Sequence, residues 1–376
     1  MRLLIAGGGT GGRLYPGIAV ARELLKRIPD ALVTFVGTAQ GIESRVIPRE
    51  RLTLDVIRSA GLKGKSIATV ARGVSLLPLS AVDAWSVIRR RHPDVALGVG
   101  GYSSGPVVLL AALRGIPTMV MEQNAIPGFT NRRLAAVIRA AAVTYEESLP
   151  YFGGKGFVSG NPVRPEFFEE AHEQPISPPG AARVLIFGGS QGARAINLAA
   201  VEAAPRLAAA ADRPVITHQT GEGDLEMVRD GYARAGLQAR VEAFLYHMDV
   251  EMKAADLVIS RAGATTLAEL AAAGRPSILV PLPTATDDHQ RKNAEAFVRH
   301  GAAVMVDQRR LNGERFATEL LALVNDGTRR RQLAAAARRL AKPDAAKAIV
   351  DRILALAGAA GRPEGRPLHP HGGDRS

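Results

Sequence analysis

The chain has 376 residues, 47% of them hydrophobic, 48 Lys/Arg against 36 Asp/Glu for a net charge of +12, and no cysteine. That length can bury a large core and favours two domains, while the absent cysteines exclude a disulfide framework and any Cys-ligated metal. No apolar run reaches the roughly 18–20 residues of a membrane span, and Met1 leads straight into a strand with no signal peptide, so a soluble cytosolic chain is expected.

The first strand reads RLLIA (Arg2–Ala6) and runs into the glycine loop GGGTGGRLYPG (Gly7–Gly17). The pattern predicts a helix from about Pro16 to Arg27, with Ile18, Leu24 and Leu25 among its apolar positions; Pro16 suits a first turn, where its missing N–H has no partner to lose. A strand over Ala31–Gly37, a helix near Ile42–Ile47 and a strand over Leu54–Arg58 follow. Val95–Gly101 and Pro117–Asn124 read as buried parallel strands ending in polar loops. A second start comes at Val184, where RVLIFGGSQGARAINLAAVEAA again reads strand, glycine loop, helix, and PVITHQTG, ADLVISRAG and RPSILVPLP continue the pattern. Apolar runs alternating with helical stretches predict an α/β chain with two Rossmann-like parallel-sheet domains facing across a cleft. The expected boundaries are 1–161 for the first domain and 162–335 for the second, then alanine-rich helices to 357, broken at Pro343, and a disordered tail over 358–376 that lacks a hydrophobic pattern.

The charge is uneven. Residues 1–161 carry 20 Lys/Arg and 10 Asp/Glu, whereas the rest of the chain carries 28 and 26. An anionic partner for the first half is one reading and plain solubility the other. Nucleic acid fits poorly, because only 5% of residues are aromatic and no RNA- or DNA-reading motif is present.

Four segments carry candidate chemistry. The two glycine loops would present backbone N–H groups at helix starts, where an anion or a sugar can approach. The first fits dinucleotide spacing only by choosing among many glycines, and no acidic ribose ligand follows the second strand, so a dehydrogenase is disfavoured. In SRAGATTLAELAAAGRPSILVPLP (Ser260–Pro283), a small-residue helix start after Gly263 can take a diphosphate, and Glu269 can grip ribose hydroxyls. TATDDHQRKNA (Thr284–Ala294) concentrates Asp287, Asp288, His289, Gln290 and Asn293, as a sugar site requires; a metal site is the rival but lacks evident further ligands.

With GGYSSGP (Gly100–Pro106), EQNAIPGFTN (Glu122–Asn131), GNPVR (Gly160–Arg164) and GGSQGA (Gly188–Ala193), these segments occur in the order and spacing of the MurG family, the peptidoglycan N-acetylglucosaminyltransferases of bacteria. The resemblance covers about residues 1–356. It implies a GT-B fold whose last helices cross back onto the first domain. It implies inverting transfer of N-acetylglucosamine from UDP-GlcNAc to the 4-hydroxyl of the muramic sugar of lipid I, giving lipid II. Motif by motif, it places Thr10, Gly11 and Gly12 beside the donor sugar and acceptor, and Asn124 on the donor sugar. Arg164 and Ser190 would meet the diphosphate and nucleotide, and the Leu245 backbone the uracil. Ala264, Thr265, Thr266, Leu267, Ala268 and Glu269 would underlie the diphosphate and ribose, with Gln290 on the N-acetylglucosamine and Tyr102 and Asn131 on the acceptor side. No metal and no cofactor are expected, UDP-GlcNAc being a substrate. The implied partners are lipid I, the anionic cytoplasmic face of the bacterial inner membrane, to which the chain would bind peripherally, and other cell-wall synthesis proteins. Ser59–Arg91, with Leu76, Leu77, Leu79 and Trp85 beside Lys63, Lys65, Arg72 and Arg89–Arg91, is either the membrane patch or an ordinary core-facing helix.

The chain departs from the family at Arg13, where members usually carry a histidine that could act as general base, and at Met121, where another histidine is common. A guanidinium stays protonated and cannot take the acceptor's proton. Three readings stay open: Glu122 serves as base; no strong base is needed and Arg13 holds an anion; or the chain binds both ligands as a catalytically impaired scaffold.

Overall fold

The computed structural model describes residues 1–59, 77–168, 182–189, 192–285 and 288–360. Seven parallel strands form the first sheet: β1 (Arg2–Gly7), β2 (Leu32–Gly37), β3 (Thr53–Val56), β4 (Val95–Gly100), β5 (Thr118–Glu122), β6 (Ala140–Val143) and β7 (Gly156–Val158), in the order β3-β2-β1-β4-β5-β6-β7. Six more form the second: β8 (Arg183–Phe187), β9 (Val215–Gln219), β10 (Ala239–Glu242), β11 (Leu257–Ser260), β12 (Ser277–Leu279) and β13 (Ala303–Met305), in the order β10-β9-β8-β11-β12-β13. Central strands such as VALGVG are buried along their whole length, because helices cover both faces of each sheet. In both sheets the order reverses beside the first strand, β1 next to β4 and β8 next to β11, and crevices for ligands open at the C-terminal strand ends of such a reversal. The glycine loops follow β1 and β8, so both lie at those ends.

The helices that matter below are α1 (Gly11–Arg27), α2 (Glu43–Arg49), α3 (Leu77–Arg91), α4 (Ser104–Leu113), α5 (Phe129–Leu134), α6 (Arg194–Ala208), α7 (Leu225–Arg234), α8 (Met248–Ala254), α9 (Ala264–Ala273), α10 (His289–Arg299), α11 (Gly313–Val324), α12 (Gly327–Arg339) and α13 (Ala345–Ala360). Helix α1 begins at Gly11 and not at Pro16, so Pro16 lies inside it. A proline there has no N–H to give the carbonyl four residues back, which leaves the Gly12 carbonyl without its helical donor. Helix α13 runs to Ala360, so residues 358–360 are helical where a tail was expected; residues 361–376 lie outside the described residues.

Helix α13 packs against the first sheet's layer, not the second's. Its Ile349, Val350 and Ile353 are fully buried in one cluster with Leu3, Ile5, Ile18, Leu24 and Leu97. Each such side chain contributes about 1.5–3 kcal/mol of burial, which ties the end of the chain to its beginning.

Candidate functional site

The two halves meet at the loops that end their strands. Thr265, in the first turn of α9, donates from Oγ1 to the Gly12 carbonyl at 2.7 Å, the acceptor that Pro16 leaves open. Asn161 Nδ2 reaches the same Thr265 hydroxyl at 3.3 Å. Asn293, fully buried on α10, accepts from the Ala125 N–H at 3.0 Å and donates from Nδ2 to Asn124 Oδ1 at 3.2 Å. Arg299 pairs with Glu147 across the same boundary. Five sequence motifs far apart in the chain are thereby brought to one place.

Glu122 ends β5 and is 3% exposed. Its Oε1 accepts from the backbone and side-chain N–H of Asn124 at 3.0 and 3.1 Å, and its Oε2 from Gly128 N and Asn131 Nδ2, both at 2.9 Å. Four donors fill the acceptor sites of one carboxylate. The expectation that Glu122 takes the acceptor's proton therefore has no support in this geometry: the group holds the loop that presents Asn124. Asn131, expected on the acceptor side, is buried beneath this loop and also donates to the Met121 carbonyl at 3.0 Å. Tyr102, by contrast, is exposed in the turn between β4 and α4.

The opposite wall is α9, which starts after Gly263 with Ala264, Thr265 and Thr266. The first N–H groups of a helix lack partners within it and carry partial positive charge. Ala268 is half-buried, whereas Leu267 points away into the core, fully buried with Leu270 and Leu279. Glu269 keeps some accessible surface, yet dense surrounding protein pushes its carboxyl up to about 7; Arg164 pulls the other way and Asp249 adds to the rise. Arg164 itself lies over the rings of Phe167 and Tyr15, at 5.1 and 5.5 Å from their centroids, so a residue of α1 helps hold it. Gln290, in the first turn of α10, accepts from Leu282 N at 3.0 Å through Oε1, which fixes its amide. Leu245 is buried and gives its N–H to Gln219 Oε1 at 2.8 Å, while Gln219 Nε2 donates to the Gly189 carbonyl at 2.9 Å. Ser190 lies outside the described residues.

Arg13 sits in the first turn of α1 with its stem along Gly100, where a Cβ would come within 3.4 Å of the arginine Cδ. Among the described residues its guanidinium has no ion-pair or hydrogen-bond partner. Met121 is buried in the sheet's core cluster. His218 is buried on β9 between Tyr232 OH at 2.8 Å and Asn197 Oδ1 at 3.1 Å, and burial pulls its pKa down to about 3, so it is neutral and structural. No group of three or more His, Cys, Asp or Glu that could hold a metal ion occurs among the described residues. Among those residues no helix is long and apolar enough to cross a membrane.

Two parts of this site escaped the sequence reading. Asn293 stood out only as part of a polar cluster, and its bridge to Asn124 needs the folded chain. Gln219, between the second glycine loop and Leu245, carried no spacing signal at all.

The comparisons agree with this architecture. Residues 3–143 match the glycosyltransferase family 28 N-terminal domain and residues 183–349 its C-terminal domain. A protein of Anaeromyxobacter dehalogenans (strain 2CP-1), named UDP-N-acetylglucosamine--N-acetylmuramyl-(pentapeptide) pyrophosphoryl-undecaprenol N-acetylglucosamine transferase, is 47% identical over 95% of this chain and 93% of its own length. A protein of the same name from Myxococcus xanthus (strain DK1622) is 44% identical over 98% of this chain and 97% of its own length. The crystal structure of Acinetobacter baumannii MurG superposes with a TM-score of 0.76 at 30% identity, covering 94% of this chain and 99% of that one. Two matched domains and near-full-length relatives together place the chain in glycosyltransferase family 28, as a member of the MurG family with a GT-B fold.

Proposed function

We propose that this chain transfers N-acetylglucosamine from UDP-GlcNAc to the 4-hydroxyl of the muramic sugar of lipid I. The observation that carries the reading is the meeting of the α1 loop with the first turn of α9 through Thr265 and Gly12, beside the facing Arg164 and Glu269. A bond forms between the acceptor oxygen and C1 of the donor sugar, and the bond from C1 to the diphosphate oxygen breaks. The electron pair leaves with UDP, and attack from the opposite face inverts the anomeric centre. Backbone N–H groups of Ala264, Thr265 and Thr266, with Arg164, would stabilise the charge that develops on the leaving diphosphate. Glu269 would accept from the ribose hydroxyls, and the Leu245 backbone and the Ser190 loop would hold the nucleotide. Gln290 and Asn124 would read the donor sugar, with Thr10, Gly11 and Gly12 beside both donor sugar and acceptor and Tyr102 on the acceptor side.

Arg13 then serves as an anion contact and not as a base, because it has no partner among the described residues and is permanently charged. Glu122 serves by fixing Asn124. With an oxocarbenium-like transition state, the acceptor's proton departs late, to water or phosphate.

Peripheral membrane binding is part of this reading. Leu79, Val82 and Trp85 recur every third residue on α3 and are 40%, 62% and 47% exposed, next to exposed Leu109 and Leu113 on α4. Arg114 stacks over Trp85 at 4.3 Å, and Arg89 and Arg90 lie in the last turn of α3, Arg90 paired with Asp55 at 3.0 Å. Exposed apolar side chains with arginines beside them suit an anionic lipid surface. The Leu76 and Lys63–Arg72 part of the expected patch lies outside the described residues.

The test is product analysis with the purified chain, UDP-GlcNAc and a lipid I analogue. Release of UDP with a β-1,4-linked disaccharide is expected; release of free N-acetylglucosamine alone, or an α-linkage, refutes the reading.

A further inference from the structure

Glu43, the first residue of α2, is 1% exposed and lies far in sequence from every motif discussed above. Its Oε2 accepts from the Gly9 N–H at 2.8 Å, inside the first glycine loop. Its Oε1 accepts from the Thr38 N–H at 2.8 Å and the Thr38 hydroxyl at 3.1 Å. No cation pairs with it among the described residues, so hydrogen bonds alone offset the burial of this carboxylate.

The socket is built for it. A Cβ on Gly8, Gly37 or Gly41 would fall 2.5, 2.3 or 2.1 Å from an atom of the Glu43 side chain. Three glycines from two segments, the first glycine loop and the stretch from the end of β2 to α2, thus give up side chains to admit one carboxylate. On its other side the loop is pressed against β4: Gly8 N donates to the Gly100 carbonyl at 3.1 Å, and a Cβ on Gly101 would meet the Gly8 carbonyl at 2.7 Å. The loop's far end is the Gly12 carbonyl that Thr265 grips. Glu43 fixes the near end.

We infer that Glu43 is a positioning residue for transfer: held in its glycine socket, it locks the Gly9 amide and so aims Thr10, Gly11, Gly12 and Arg13 at the reacting sugars. This rests on the transferase reading above, because the loop has to be the one that meets the acceptor. On that reading the donor nucleotide would be held by the other half of the chain, and its binding would not depend on Glu43.

The test compares the full chain with Glu43→Gln and with Thr38→Val, which removes a single hydroxyl bond to the same carboxylate. Transfer is measured with UDP-GlcNAc and a lipid I analogue, UDP affinity by calorimetry, and amide exchange over residues 4–14 by mass spectrometry. Wild-type transfer comes first: its absence refutes the transferase reading and leaves this one without a basis. With active wild type, Glu43→Gln is expected to lower kcat by about tenfold to a hundredfold, since ångström-scale misplacement of reacting groups costs that much. UDP affinity is expected to stay within about twofold, with faster exchange confined to the loop. Thr38→Val is expected to show the same split at about two- to fivefold in kcat, which decides the matter if Glu43→Gln does not fold. Unchanged kcat, or a loss of UDP affinity in parallel with kcat, overturns the assignment.

Discussion

With Glu269 on the donor's ribose, as proposed above, donor binding is expected to depend on pH, and the size of the effect follows from its surroundings. Burial raises the free protein's Glu269 carboxyl to about 7, against the opposing pull of Arg164. A ribose offers two hydroxyl donors, so it binds the carboxylate and not the acid. With that pKa, Glu269 is about nine-tenths ionised near pH 8 and about one-tenth near pH 6, so the apparent affinity for donor falls about tenfold between them. The ligand has to be UDP-GlcNAc and not UDP, because its diphosphate diester has no proton to gain in that window. Calorimetry at several pH values gives the curve. Glu269→Gln should bind weakly at all of them and lose the slope. A flat affinity for the natural chain, or the same slope in Glu269→Gln, refutes the reasoning. The sign for folding is opposite: a carboxyl raised from 4.5 to about 7 contributes stability that is present below pH 4.5 and lost as pH rises through 7, so this group lowers the free protein's Tm over that interval.

Three further outcomes follow from buried contacts. Glu122→Gln puts an NH2 against backbone and side-chain donors; it should cost about 1–3 kcal/mol in denaturant unfolding while the surviving activity keeps its pH profile, whereas loss of the acidic limb would restore Glu122 as a base. Asn293→Ala strands the Ala125 N–H and frees Asn124; the KM for UDP-GlcNAc should rise and kcat fall by about tenfold together, and unchanged kinetics would remove Asn293 from the site. Ile353→Ala should cost about 2–5 kcal/mol of stability, read by urea unfolding, and a loss below 1 kcal/mol would mean that α13 is not firmly docked.

The sequence exposed most of the architecture because buried parallel strands announce themselves as apolar runs, as RLLIAG and VALGVG do. Short or small-residue strands do not: β6 is AAAV, β7 is GFV and β13 is AVM, too short or too poor in large apolar residues to carry a strand signal. The start of α1 lies at Gly11 and not near Pro16 for a physical reason. Pro16 looks like a first-turn residue, but glycines at the true first turn give weak helical signal, and the carbonyl that the proline strands is satisfied from the other half of the chain. Polar residues were the least legible. Glu122 reads as a candidate base by type and place, and only its four bonds reveal that it holds a loop. Glu43 sits in GIES, where nothing in the spacing marks it, and Gly8 looks unrelated to Gly37 and Gly41 until folding brings all three around one carboxylate.

The central claim is that this chain performs the transfer with an arginine where an imidazole is usual. The most direct measurement is the rate of labelled N-acetylglucosamine transfer from its UDP conjugate to a lipid I analogue by the natural chain and by Arg13→His. The account predicts that the natural chain turns over and that histidine leaves kcat unchanged or lowers it, with a weaker hold on the anionic acceptor. An inert natural chain that histidine brings to life would contradict it, and would mark a protein that keeps both ligand sites without the chemistry.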